Sequence, residues 1–218
     1  MVQAVIFDMD GVVVDNNQYH ILSWGKFFEK YNKKLDESEI KKWIYGRTNI
    51  ETIMHVFGKD IRSDEVYRLV DEKEELYRQM YAMEIKPAKG LIDFLKNLKS
   101  QNTKIGMATS APRKNVDFVM DTLDIRNYFD VIIDAEMVKK GKPAPDVYLA
   151  VAKGLEVECM KCVVFEDSVS GIEAAREAKM FVIGVTSTLE KHELIDAQYF
   201  VGDFIDLSLE KIKKIVSC

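Results

Sequence analysis

A chain of 218 residues with 47% apolar content can bury one sizeable core, or one core with a small accessory domain, and is too apolar for disorder. Its formal charge of −5, from 31 basic and 36 acidic residues, argues against a nucleic-acid footprint, because the lysine pairs at 33–34, 41–42, 139–140 and 213–214 are scattered and form no stripe. No run approaches the roughly 18 apolar residues of a membrane span, the first residues enter a strand without a leader, and three cysteines suit a reducing compartment, so a cytosolic protein is expected.

The run Val2 to Phe7 is apolar and closes on Asp8-Met9-Asp10-Gly11, which reads as a buried strand stopped by a turn. Alternation puts Asp8 and Asp10 on one side at the carboxyl end of that strand, with Met9 turned away. Ligands of open parallel sheets bind at that end. Two carboxylates about 4 Å apart repel by roughly 4 kcal/mol in a protein site, so the pair asks for a cation or a shared proton. Taken alone, Asp-x-Asp-Gly can equally be a turn acid beside a helix-capping acid.

After Asp15 the period becomes helical. His20, Trp24, Phe27, Phe28 and Tyr31 share one face, where Trp24 reads as core and His20 as a satisfied core histidine. A second helix carries Ile40, Trp43 and Ile44 and ends in the turn Gly46-Arg47. Thr48-Asn49-Ile50-Glu51 is a capping box that opens a third, with Ile53, Met54 and Phe57 inside. A fourth spans about Ser63 to Tyr81, and Lys73 falls within its apolar face, where it either snorkels to the rim or reaches into a polar cleft. Residues 16–83 are thus expected to form an all-helical insertion.

From Pro87 strands and helices alternate. Leu91 to Leu98 reads as helix, Ile105 to Thr109 as strand, Val116 to Leu123 as helix and Val131 to Ile133 as strand. Tyr148 to Leu155 follows as helix, Val163 to Phe165 as strand, Gly171 to Ala178 as helix and Phe181 to Val185 as strand. A weak strand at Tyr199 to Val201 and a helix from Leu207 to Ile215 close the chain. This order predicts an α/β fold, a doubly wound parallel sheet built from residues 1–15 and 84–218. Cys159 and Cys162 precede a strand, where a redox pair would open a helix after one, so they read as structural.

Strand ends then collect the chemistry. Asp8 and Asp10 follow the first strand, Thr109-Ser110 the next, Lys139-Lys140-Gly141-Lys142-Pro143 the third, and Glu166-Asp167 the fourth. Acids, a hydroxyl and a lysine at one sheet edge are what attack on a phosphoryl group requires. Singly, Thr109 can cap the helix after Pro112, Lys142 can flank a turn, and Asp167-Ser168 can cap the next helix. Jointly, and in this order, they read as one site.

With those segments in view, the chain resembles the haloacid dehalogenase superfamily, in the subgroup of phosphatases and β-phosphoglucomutases that carry a helical cap after the first strand. The matching segments are Asp8-Met9-Asp10-Gly11-Val12, Ala108-Thr109-Ser110, Lys142-Pro143 and Glu166-Asp167. The resemblance implies Asp8 as nucleophile, Asp10 as general acid and base, and Thr109 and Lys142 as phosphate binders. It implies Mg²⁺ held by Asp8, the backbone carbonyl of Asp10, and Asp167 with Glu166 beside it. The mutases carry a histidine, a tryptophan and a lysine where His20, Trp24 and Lys73 stand, which turns the reading of His20 and Lys73 towards substrate contact under a closing lid.

Departures bear on the reaction. The mutases' cap arginine falls where Asn49 stands here, while this chain offers Arg47, and the segment from Ser110 to Asn115 is longer, though Lys114-Asn115 matches its end. Arg47 or Lys114 is the candidate for holding a second phosphate. The expected function is a Mg²⁺-dependent phosphatase of a small phosphorylated metabolite, a sugar phosphate first, with a β-phosphoglucomutase as the alternative. A non-catalytic binding protein of the same fold predicts damage to the acid set, and the set is intact. No Gly-x-x-x-x-Gly-Lys or Gly-x-Ser-x-Gly supports a rival enzyme class. The expected partner is the small metabolite, with neither nucleic acid nor membrane, and the choice between monomer and weak homodimer stays open.

Overall fold

The computed structural model describes residues 2–36, 39, 43 and 48–217. Ile40, Ile44, Gly46, the candidate Arg47 and Cys218 lie outside the described residues. The chain divides into two compact units, Met1–Asp15 with Ile85–Cys218, and Asn16–Glu84.

The larger unit is built on six parallel strands: β1 (Ala4–Phe7), β2 (Lys104–Ala108), β3 (Val131–Ile133), β4 (Cys162–Glu166), β5 (Phe181–Val185) and β6 (Tyr199–Val201), in the order β3-β2-β1-β4-β5-β6. The chain moves outward from β1 to β3 and then returns to β4 on the other side of β1, so the strand order reverses at β1. That reversal opens a crevice at the carboxyl ends. The register sets Phe7 beside Met107 of β2 and Phe165 of β4, which brings the residues just past all three strands to one edge.

Alternation in β1 explains its position at the centre. Ala4 and Ile6 face a core shared with Val164 and Val182 and with Val147, Val151 and Ile172 of the helices Asp146–Leu155 and Val169–Glu177. Phe7 meets Phe165 face to face at 5.3 Å, and both touch Phe94 and Phe204. Each fully buried aromatic contributes on the order of 2–3 kcal/mol, so a strand apolar on both faces is held from above and below. Helix Leu91–Ser100, which carries Phe94, helix Arg113–Thr122 and helix Leu209–Ser217 complete the unit. Cys159 and Cys162 are unpaired thiols; burial pushes Cys162 up to about 12, which leaves it inert as a nucleophile.

The smaller unit contains helices α1 (Asn17–Lys30), α2 (Asn49–Phe57) and α3 (Ser63–Tyr81) among its described residues. Its core is Trp24, Phe27, Phe28, Ile53, Val66 and Leu69, the apolar stripes that the helical period marked. The capping box at the start of α2 is formed: Thr48 accepts from Glu51 N, and Glu51 accepts from Thr48 N at 2.9 Å. Among the described residues no helix is long and apolar enough to cross a membrane.

Candidate active site

Four strand ends meet at the carboxyl edge of the sheet. Asp8 is the first residue past β1, and its amide donates to the Phe165 carbonyl at 3.0 Å, which continues the ladder by one step and fixes where its side chain emerges. Gly11 then turns the chain at φ +72°, a conformation costly for residues other than glycine. Asp8, Glu166 and Asp167 are all buried, and one oxygen from each lies within 4.8 Å of the others. The Asp10 side chain is not a member of this set, so a metal role for Asp10 rests on its backbone carbonyl, as the resemblance implied.

Lys142 lies inside the acid cluster. Its ammonium is 2.9 Å from Asp8 Oδ1 and 2.5 Å from Glu166 Oε1, with only 5% of the side chain exposed. Burial works against its charge, but Asp8 and Glu166 prevail and hold Lys142 well above the usual lysine range. Burial also pushes Asp8 up to about 7, opposed by Lys142 and reinforced by Glu166 and Asp10, and it pushes Asp167 well above the usual carboxylate range, with Glu166 and Asp8 adding to it. Three buried acids share one cation, their donors are all oxygens, and two of them are held back from ionising for want of further positive charge. Such a set fits a hard divalent ion.

Glu166 is committed before any metal arrives. Oε1 accepts from Lys142 and, at 3.2 Å, from the Tyr148 hydroxyl, while Oε2 accepts from Ser168 N at 2.9 Å and Ser168 Oγ at 3.0 Å. Four donors fill a carboxylate's usual capacity. Its first task here is to hold Lys142, and Asp8 and Asp167 are the better placed ligands. Gly171 permits this arrangement, since a Cβ there would fall on the Glu166 carboxylate.

The phosphate-side candidates fall on the loop after β2. Thr109 is buried, and its hydroxyl accepts from Ala111 N at 3.0 Å. It therefore shapes the turn; the helix after it has Pro112 at its cap position with no side-chain bond, so the helix-capping alternative fails. Ser110 and Lys114 are exposed, and Asn115 is buried at the first turn of that helix. The second capping alternative is half right: Ser168 caps the helix Val169–Glu177 through Gly171 N, and Asp167 does not.

In the smaller unit, His20, Trp24 and Lys73 come together. Lys73 does not snorkel: it is 1% exposed, its ammonium lies 3.0 Å from His20 Nδ1, 2.9 Å from Glu74 Oε1 and 5.0 Å over the Trp24 ring. A cation on an apolar helix face remains there only with a partner, and the adjacent buried Glu74 supplies it. An ammonium has only donors, so Nδ1 accepts. His20 stacks on Tyr77 at 3.9 Å, and Glu74 takes a further bond from Asn49 Nδ2 at 2.5 Å.

The family model of the haloacid dehalogenase-like hydrolases matches residues 5–185. The chain belongs to that family. It is 35% identical over 180 residues to a phosphorylated carbohydrates phosphatase of Thermotoga maritima, a match covering 81% of each chain. It is 33% identical over 215 residues to a beta-phosphoglucomutase of Bacillus subtilis, covering 95% of this chain and 92% of that one. The crystal structure of a family IA, variant 3 haloacid dehalogenase hydrolase from Entamoeba histolytica superposes with a TM-score of 0.92 over 100% of both chains at 31% identity.

As a member of this hydrolase family, the chain also holds residues around the site that its sequence did not single out. Tyr148 reads as a core position, and its hydroxyl bond to Glu166 leaves no mark on apolar periodicity. Arg113, the first residue of the helix that follows β2, pairs with the buried Asp134 at 2.8 Å and joins that helix to the segment after β3. Ser187 and Thr188 follow β5, and they were legible by the rule that found Thr109-Ser110, namely hydroxyl residues just past a strand.

Proposed function

We propose that this protein is a Mg²⁺-dependent phosphatase of small phosphorylated metabolites, with sugar phosphates as the substrate class, acting through an aspartyl phosphate on Asp8. The observation that carries the reading is Lys142, buried between Asp8 and Glu166 at the strand edge, where the acid that attacks and the cation that offsets phosphoryl charge are in contact. The relatives named for phosphorylated carbohydrates and for phosphoglucose support the substrate class.

Asp8, Asp167 and the carbonyl of Asp10, with Glu166 beside them, would hold Mg²⁺, which when bound would supply Lewis-acid charge for phosphoryl transfer and favour the ionised form of Asp8. An oxygen of Asp8 attacks phosphorus, forming the acyl phosphate as the ester P–O bond breaks. Asp10 gives its proton to the departing oxygen, then takes one from the water that attacks the same phosphorus and releases phosphate and the Asp8 carboxylate. Thr109 and Lys142 bind the oxygens over which the transferring group spreads its charge. Ser110, Lys114 and Asn115 are the further substrate-contact candidates of the larger unit, and His20 and Lys73 those of the smaller one; Trp24, packed among Phe27 and Phe28 in that unit's own core, serves as structure.

A beta-phosphoglucomutase is the second reading, favoured by the 33% identity over 95% of the chain. Asn49 weighs against it, because a neutral amide bound to Glu74 occupies the position at which the mutases were noted to carry an arginine. The two separate on β-glucose 1-phosphate supplied with catalytic glucose 1,6-bisphosphate. A phosphatase releases inorganic phosphate with no glucose 6-phosphate accumulating; steady conversion to glucose 6-phosphate assigns the mutase. A panel of phosphate esters with Mg²⁺ tests the substrate class, and the class is wrong if the hexose and pentose phosphates stay inert while other esters turn over. No turnover on any ester, with no phosphate mimic bound at Asp8, would leave a binding protein.

A further inference from the structure

The loop that follows β5 enters the site at two points, and it belongs to none of the segments that carried the family resemblance. Ser187 Oγ donates to the Gly11 carbonyl at 2.5 Å, in the turn directly after the nucleophile. The adjacent hydroxyl, Thr188 Oγ1, donates to Asp167 Oδ2 in a very short hydrogen bond. These two contacts converge on Gly11: a Cβ there would fall on Asp167 Oδ2 and come within 2.8 Å of Thr188 Oγ1. Three segments, after β1, β4 and β5, therefore interlock at a point where a side chain has no room.

A carboxylate has two side-chain torsions, and holding it ready for a cation costs conformational entropy unless a neighbour has fixed it already. Ligand carboxylates are held in this way by hydrogen-bonded partners behind them, and losing such a partner typically costs 10- to 100-fold in metal affinity. Asp167 is buried and within 4.8 Å of the Asp8 and Glu166 ligand oxygens, and Glu166 is already saturated by its own donors. The loop after β5 supplies a hydrogen bond to the Asp167 carboxylate, and with it a hold on its orientation.

We propose that Thr188, with Ser187 anchoring its loop to the Gly11 carbonyl, is a positioning residue for the metal site, its hydroxyl setting the Asp167 carboxylate for the divalent cation. This rests on the metal-dependent reading given above. It makes the loop after β5 a fifth functional segment, one that acts on metal affinity and touches neither phosphate nor leaving group.

The test is thermal unfolding of the full chain titrated with MgCl₂, reading the concentration that gives half of the rise in midpoint, with Mn²⁺ binding followed by electron paramagnetic resonance as a second readout. Thr188→Val keeps the shape and removes the donor, and is expected to raise the half-saturating Mg²⁺ concentration about 10-fold or more. Thr188→Ser restores the hydroxyl and is expected to titrate with the wild type. Thr188→Ala gives the same readout as valine should the valine variant fail to fold. An unchanged half-saturation in the hydroxyl-free variants overturns the proposal, as does a serine variant displaced as far as valine, which would show that the loop's packing matters and its hydroxyl does not. A wild-type protein whose midpoint ignores Mg²⁺ and whose Mn²⁺ spectrum shows no binding overturns the metal reading itself.

Discussion

Asp8 is asked to be both buried and charged, and its neighbours divide over the matter. Burial, Glu166 and Asp10 favour its proton, while Lys142 at 2.9 Å favours its charge. The folded-state value rises from 3.8 to about 7, so the folded chain keeps a proton on Asp8 that the unfolded chain has already released. In metal-free protein this group therefore subtracts stability progressively as pH climbs from about 4 to about 7, with no further loss above that range. Asp8→Asn removes the effect: measured by urea unfolding in EDTA, the variant gains on the wild type between pH 5 and pH 8. A stability difference that does not move with pH would show Asp8 to be ionised throughout. The same variant is expected to lose roughly four orders of magnitude or more of turnover, as nucleophile deletions do. Lys142→Met tests the other side of the pair. It leaves two buried acids facing each other, and urea unfolding is expected to show a loss of about 3 kcal/mol, the scale for removing one partner of a buried ion pair.

At the scale of elements, strand ends and the turns after them place the chemistry. The helix Val169–Glu177 starts two residues after Asp167, and Gly171 in its first turn leaves the room that the Glu166 carboxylate occupies. Gly171→Ala forces the carboxylate away from Lys142 or displaces the helix; either way urea unfolding should show a cost of about 1–3 kcal/mol, the range for overpacking, and turnover should fall with it. A variant as stable and active as wild type would mean that Glu166 swings aside freely. Six strands and the order of the site loops were legible because apolar runs and turn residues mark them without reference to the rest of the molecule. Thr109 and Lys142 were legible as members of a set following successive strands. Tyr148 and the saturation of Glu166 were not, since they depend on which side chains meet in space. The buried Lys73 is similar: its charge on an apolar face is visible, whereas the decision between rim and interior was made by Glu74 and His20 as partners. The site of Arg47 lies outside the described residues, so its candidacy still stands on sequence alone.

At the scale of the whole molecule, the carboxyl edge of the sheet gathers Asp8, Glu166 and Asp167 in a chain that carries only a modest net charge. Three of its acids are buried, so their mutual repulsion is weakly screened by salt and a divalent ion is the natural remedy. Dialysis against EDTA should abolish phosphate release and lower the thermal midpoint, and added Mg²⁺ should restore both. Activity that survives complete removal of divalent ions would contradict the mechanism proposed for Asp8.

The chain leaves the sheet unit after Asp15 and returns to it at Ile85, and the two passages flank a small antiparallel bridge between Val14 and Pro87, with Ala88 N donating to the Val13 carbonyl at 2.8 Å. The two stems of the inserted segment thus leave the sheet unit side by side. Bridging so narrow a gap takes a turn of only about two to five residues, and lengthening it costs little, since closure entropy grows slowly with loop length. Exchanging residues 16–84 for another helical body, larger, smaller or differently charged, would then ask nothing new of the strands, whose own ends would keep Asp8, Glu166, Asp167 and Lys142 where they are.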